Sequence, residues 1–240
     1  MNQLLQYYSK YNIDGEWHIH TNYTDGKNSV SDYCETAVKL GIPLIAFTEH
    51  IRRIPSYNFY DLYNDILMAR KKFSKLIILI GVEAKVLANG SIDCDEDILK
   101  MCDYNLFAYH SFPTDINLYK NSLETILLNY NVHCWAHPGL YFKKNNRIRI
   151  ENEYISGIFS QMKNKEKIIE YNFKYQLPEI NWLKEYLKFN SIIVFGGDIH
   201  SVEEMENVHN MKQRYIDYTN RAKKDIYGDI EKIILNMYKK

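Results

Sequence analysis

The chain has 240 residues, 46% of them hydrophobic, enough for a sizeable core and too many for a disordered or fibrous chain. Thirty lysines and arginines balance thirty aspartates and glutamates, which excludes a global positive field that would gather nucleic acid or an anionic membrane. Cys34, Cys94, Cys102 and Cys134 form no C-x-x-C pair, so neither a zinc knuckle nor a disulfide framework is expected, and the cytoplasm is the expected compartment.

The elements follow in chain order. Residues 17–21 read as a strand, 31–40 as a helix stopped by Gly41, 42–47 ("IPLIAF") as a strand and 59–73 as a helix. A strand at 76–82 ("LIILIGV") precedes a helix at 94–102, and a strand at 104–109 ("YNLFAY") precedes a helix at 116–129. Strand 132–136 ("VHCWA"), helix 151–163, strand 167–173 ("KIIEYNF"), helix 178–189 and strand 191–197 ("SIIVFGG") complete the alternation. Seven strands interleaved with helices predict an α/β fold with a parallel sheet or barrel. Nothing resembles a linker, so residues 1–240 read as one domain, with a charged helical tail over 202–240 packing outside the sheet. The opening residues 1–10 carry no export signal, and no apolar run approaches the roughly 20 residues of a membrane span.

Polar residues collect at the strand ends. His50, Glu83, His110 and His137 each follow an apolar run, and Asp198 and His200 follow the last one. That edge is where parallel α/β folds gather catalytic groups. In the first strand His18 and His20 alternate onto one face, so they enter one pocket as a pair, while Trp17 and Ile19 face the surrounding packing. Asp25-Gly26 reads as a turn returning a carboxylate over the same pocket. Paired imidazoles with carboxylates suit a divalent metal. His133, inside a strand, and His209, in the tail, are read as structural or solvent-exposed.

The ordered stretches "HIH" with Asp25-Gly26, "TEH", "GVEA", "AYH", "AHPG", "IEYN" and "GGDIH" resemble the polymerase and histidinol phosphatase (PHP) superfamily of metal-dependent phosphoesterases. The resemblance spans about residues 13–201 and implies a distorted seven-stranded (β/α) barrel with its active site at the C-terminal ends of the strands. It implies three divalent metal ions, zinc, manganese or iron. His18, His20, Glu83 and Asp198 would hold one; Glu83 would bridge to a second held by His110 and His137; Asp25, His50 and His200 would hold the third. The implied catalyst is a metal-bridging hydroxide held by Glu83 and Asp198, in line with the lack of a G-x-S-x-G elbow or C-x5-R loop. The segment "GVEAKVLANGSIDCDED" further resembles single-domain members and forms fused to family X DNA polymerases, where a hairpin precedes a helix.

Departures at Glu49 in "TEH", Ala108 in "AYH" and Gly197 and Ile199 in "GGDIH" touch positions beside ligands rather than ligands. Arg52, Arg53, Lys85, Lys143 and Arg147 are candidates to hold phosphate, and Glu49 and Asn172 to support ligands or bound water. The expected substrate is a small phosphorylated metabolite. Histidinol phosphate, a nuclease activity and a non-catalytic metal-binding module are the alternatives. The charge balance weighs against a long nucleic-acid footprint, and no membrane partner is expected.

Overall fold

In the computed structural model, which describes residues 7–222, seven parallel strands lie in chain order across one sheet. They are β1 (Glu16–Ile19), β2 (Leu44–Ile51), β3 (Ile77–Lys85), β4 (Tyr104–Ala108), β5 (Cys134–Trp135), β6 (Ile168–Asn172) and β7 (Ile193–Gly196). The sheet curls until its edges meet beyond β7. His20 N–H donates to the Ile199 carbonyl at 2.8 Å and Ile199 N–H donates to the His18 carbonyl at 2.9 Å, a parallel bridge that nearly closes a barrel.

Both faces of each strand are covered, which is why the runs in β2 and β3 are almost continuously apolar. Alternate residues supply two cores. Leu44, Ala46, Leu79, Leu106 and Val194 meet inside the barrel, whereas Ile45, Phe47, Ile80, Phe107 and Phe195 pack outward against the helices. The helices start and stop on local chemistry. Val30–Leu40 opens on a capping box in which Ser29 and Asp32 satisfy each other's backbone N–H, and it ends at Gly41 with φ 72°. Ile116–Asn129 opens on Asp115, whose carboxylate accepts from the N–H groups of Asn117 and Leu118.

The elements match the sequence expectation with physical exceptions. β2 and β3 continue past their apolar runs, so His50 and Glu83 lie within the strands and face each other across the ladder. Polar side chains end a hydrophobic pattern without ending a hydrogen-bond ladder. The expected hairpin is present, with Val86 bridging Ile92 in antiparallel fashion, and the helix Glu96–Met101 follows it. A five-residue helix, Leu140–Lys144, is too short to show a period.

Trp17 requires a correction. Glu16 pairs with Ile45 and Ile19 with Phe47, so three steps along β1 match two along β2. The bulge turns Trp17 into the inner core, edge-on to Tyr104 at 5.4 Å between centroids, while Ile19 faces outward as expected. His18 and His20 still reach one pocket.

The tail helix Val202–Ala222 lies on the outside of the barrel, burying Met205, Val208 and Tyr215; residues 223–240 of the expected tail, and residues 1–6 of the opening segment, lie outside the described residues. Lys212 of this helix is buried and donates to the carbonyls of Gly15 and Phe195 and to the Glu16 carboxylate at 2.6–2.8 Å. Among the described residues no helix is long and apolar enough to cross a membrane, and the four cysteines are buried and free.

His133 has the structural role expected of it. Its Nδ1 accepts from the Asn105 backbone N–H at 2.9 Å, and burial lowers its pKa to about 4 from an ordinary 6.5. The unfolded chain therefore takes up a proton first as pH falls. The stability due to the neutral ring is present above pH 6.5 and is lost as pH falls towards 4, by up to about 3 kcal/mol. Urea titrations of the metal-free protein and of His133→Gln should show a shallower loss for the variant across that window; parallel curves would refute the assignment.

Candidate metal centre

At the C-terminal end of the barrel the nine predicted ligands converge. His18 and His20 are fully buried, with their Nε2 atoms 3.1 Å apart. The Glu170 carboxylate sits 2.9 Å from His18 Nδ1, which fixes the proton there and leaves Nε2 free to ligate. Asp198 Oδ1 approaches the two Nε2 atoms at 3.6 and 3.2 Å, and Glu83 Oε2 approaches them at 3.7 and 3.6 Å.

Glu83 occupies the middle. Its Oε1 lies 3.0 Å from His110 Nε2 and 2.8 Å from His137 Nε2. Its Oε2 lies 3.0 Å from His50 Nδ1, yet neither of those two buried atoms makes an aligned hydrogen bond, and His20 Nδ1 is likewise unpartnered. Buried polar atoms that converge without hydrogen bonding are what a shared cation would satisfy. On the outer side Asp25 Oδ2 reaches His50 Nε2 at 3.5 Å and His200 Nε2 at 3.4 Å. Three groupings have donor atoms close enough to share an ion: His18, His20 and Glu83; His50, Glu83 and His110; and His20, Asp25, His50 and His200. His50 thus faces two groupings, where the family pattern would assign it to one. The nitrogen and carboxylate donor set fits zinc, manganese or iron.

The local electrostatics keep the Glu83 and Asp198 carboxylates ionised and His20 neutral. At His18, by contrast, burial is outweighed by Glu170 and Glu83, and at His50 by Glu83 and Asp25, so both of those imidazoles hold a proton more tightly than usual in the metal-free site. Burial alone would raise the Glu83 pKa, but the charges of His110 and His18 and hydrogen bonds from His110 and His137 hold it well below the ordinary carboxyl value. Burial is likewise outweighed at Asp198, chiefly by the His20 hydrogen bond and the His18 charge. Burial lowers the His20 pKa to about 4, which keeps that imidazole neutral. Backbone strain accompanies the chemistry: His137 and Asp198 have φ of 34° and 51°, a region that side-chain-bearing residues seldom enter.

The remaining predicted residues divide. The Glu49 carboxylate accepts from the Thr21 N–H and the Thr24 hydroxyl, and so fixes the turn that carries Asp25. Asn172 Oδ1 accepts from Tyr175 N–H at 3.1 Å and shapes the loop after β6, while its buried Nδ2 has no hydrogen-bond partner. Arg52 and Arg53 turn to the hairpin after β3. Arg52 Nε lies 3.7 Å from Asp93, and Arg53 donates through its backbone to Asp93 and through Nη2 to the Ile92 carbonyl. Lys143 Nζ donates to the Tyr175 carbonyl at 2.9 Å, Arg147 is exposed, and Lys85 lies half-buried at the end of β3.

Sequence reasoning missed four groups. Glu170 holds His18 through one oxygen and accepts the His137 backbone N–H at 2.7 Å through the other. Glu16 accepts from Gly197 N–H at 2.7 Å and is paired with buried Lys212. Lys174 Nζ lies 3.3 Å from Asp198 Oδ2 and 3.2 Å from His200 Nδ1, and among the described residues it is the lysine or arginine that directly reaches a predicted ligand. The inward register of "IEYN" is the signal that would have pointed to Glu170.

A parallel (β/α) barrel with buried histidines and carboxylates at its C-terminal mouth is the architecture of a metal-dependent hydrolase. Residues 16–237 match the PHP domain family, and the chain belongs to it. The chain is 30% identical over 133 residues to the DNA polymerase/3'-5' exonuclease PolX of Bacillus subtilis, an alignment that takes in 52% of this chain but only 23% of that protein. A probable phosphatase of Aliivibrio fischeri is 22% identical over 212 residues, 84% of this chain and 83% of that one. The fold is similar to that of histidinol phosphate phosphatase from Lactococcus lactis, solved with zinc, L-histidinol and phosphate, at a TM-score of 0.59 and 17% identity over 82% of this chain and 92% of that one.

Proposed function

We propose that this protein hydrolyses the phosphate monoester of a small metabolite at a centre of three divalent ions. The approach of five histidines, His18, His20, His50, His110 and His137, to within 3.7 Å of Glu83, with buried donor atoms left unpartnered, carries the reading. His18, His20, Glu83 and Asp198 would hold one ion, Glu83, His110 and His137 a second, and Asp25, His50 and His200 a third. Such ions supply a nucleophile from water at neutral pH and offset charge on the phosphoryl oxygens.

The chain's own residues do the rest. Glu170 orients His18 and the His137 backbone, and Glu49 holds the Asp25 turn. Burial dictates the direction of approach, because the Glu83 and His18 side chains are 0% exposed whereas that of Asp25 is 55% exposed. The phosphoryl group enters from the Asp25, His50 and His200 side, where Lys174 is the cation in place to hold it.

Metal analysis of protein purified without chelator, followed by turnover of a chromogenic monoester that disappears in Asp198→Ala, tests the proposal. Protein that carries no metal would sink it. A nuclease is the second reading, favoured by the identity to the Bacillus polymerase/exonuclease. Turnover of single strands with steep salt dependence and none of monoesters would select it. Asp25→Ala should release one ion selectively and leave the pair around Glu83 in place, because Asp25 contacts only His50 and His200 among the ligands. Equal loss of all ions in Asp25→Ala and His18→Ala would contradict that division.

A further inference from the structure

Beside the metal centre lies a cleft of about 650 Å³, walled by Phe142, Trp182 and Tyr175 and carrying Lys143 and Arg149. Tyr175 belongs to both places. It lines the cleft, and its ring stands edge-on to His137 at 5.5 Å between centroids. A phosphoryl group at the metal centre would therefore have its ester substituent leave past Tyr175 into this cleft.

Resting on the phosphatase reading above, we propose that the cleft is the leaving-group subsite, and that it selects monoesters whose alcohol carries a planar aromatic body and a carboxylate or similar anion. The aromatic walls are fixed: Trp182 packs on buried Trp135 of β5 at 6.0 Å and edge-on to Phe142 at 5.9 Å, and Trp182 and Phe142 are themselves only half-buried. Half-exposed rings in a cleft offer a planar ligand stacking surface that is already formed.

Charge sets the second requirement. Lys143 and Arg149 face a single lining acid, Glu179, so the cleft is net positive. Lys143 keeps further N–H donors beyond the one given to the Tyr175 carbonyl, and Arg149 is braced through Nη1 against the carbonyls of Asn146 and Ile148, which uses only part of its five-donor guanidinium. A cationic alcohol such as histidinol would meet like charge. Lys174, next in chain to Tyr175, adds to the positive side near Asp198.

The test compares O-phospho-N-acetyltyrosine with 4-ethylphenyl phosphate, whose phenol leaving groups are alike but differ in carrying a carboxylate, and with glycerol phosphate, which has no ring. The metal-loaded protein should favour the first over the second in kcat/KM. The double variant Lys143→Ala/Arg149→Ala should raise KM for the first by about fivefold, the effect of two partly exposed ion pairs, and leave the second unchanged. Trp182→Ala should weaken both aryl esters and spare glycerol phosphate. Titration calorimetry with N-acetyltyrosine provides a reading without turnover: the wild type should bind it and the double variant should bind it about fivefold more weakly. Equal kcat/KM for the two aryl esters, together with N-acetyltyrosine binding that the double variant does not change, overturns the subsite. Lack of turnover on every monoester overturns the phosphatase reading instead, and the calorimetry still decides the cleft.

Discussion

Glu83→Gln should release the two ions that Glu83 would hold and lower turnover by about a thousandfold or more, the scale of losing a principal charge-stabilising group at a buried active site. The exchange is isosteric, so the barrel around it has no cavity to absorb. What it removes is the charge on a side chain 2.8–3.0 Å from His137, His110 and His50 and within 3.7 Å of His18 and His20. Both groupings that contain Glu83 lose their carboxylate, whereas the grouping of His20, Asp25, His50 and His200 keeps one. Elemental analysis per chain and steady-state turnover are the measurements. A variant that retains all its metal and more than a tenth of its activity would show that Glu83 is not the hub.

Glu170→Ala should lower turnover by about ten- to a hundredfold without removing any ligand, the usual cost of losing a group that orients ligands. It should also destabilise the fold by about 2–4 kcal/mol, because His18 Nδ1 and the His137 N–H would be left buried without an acceptor. Thermal unfolding and turnover read the two effects separately. Glu170→Gln retains an acceptor and should fall between the wild type and the alanine variant. If glutamine is as damaging as alanine in unfolding, charge rather than hydrogen bonding is what Glu170 contributes; if neither changes turnover, it orients nothing.

The ligand set was legible because strand period and chain order both bear on it. Residues two apart on a strand share a face, and each parallel strand delivers its last inward residue to the same mouth, so His18, His20, Glu83 and Asp198 could be placed at one mouth before any distance was known, whereas their division among ions came from the family resemblance alone. The β1 bulge was not legible, because an extra residue in a ladder alters neither apolar pattern nor composition, and Trp17 was assigned to the wrong side as a result. Lys212 reads as a solvent-facing lysine on an amphipathic helix, and only the packed tail reveals its three buried acceptors. Arg52 and Arg53 follow a ligand in sequence, but their side chains turn to the hairpin after β3, Arg52 towards the Asp93 carboxylate and Arg53 to the Ile92 carbonyl.

Gly196 sits at the end of β7, where a Cβ would lie 2.0 Å from Glu170 Oε1 and 3.0 Å from the His18 Cβ. The space a side chain would fill is already taken by the carboxylate that steadies two ligands. In a saturation-mutagenesis library, position 196 should therefore score as intolerant as the histidines themselves, although it offers no ligating side-chain atom. The vulnerability of this centre to genetic drift extends to an atom that is missing by necessity.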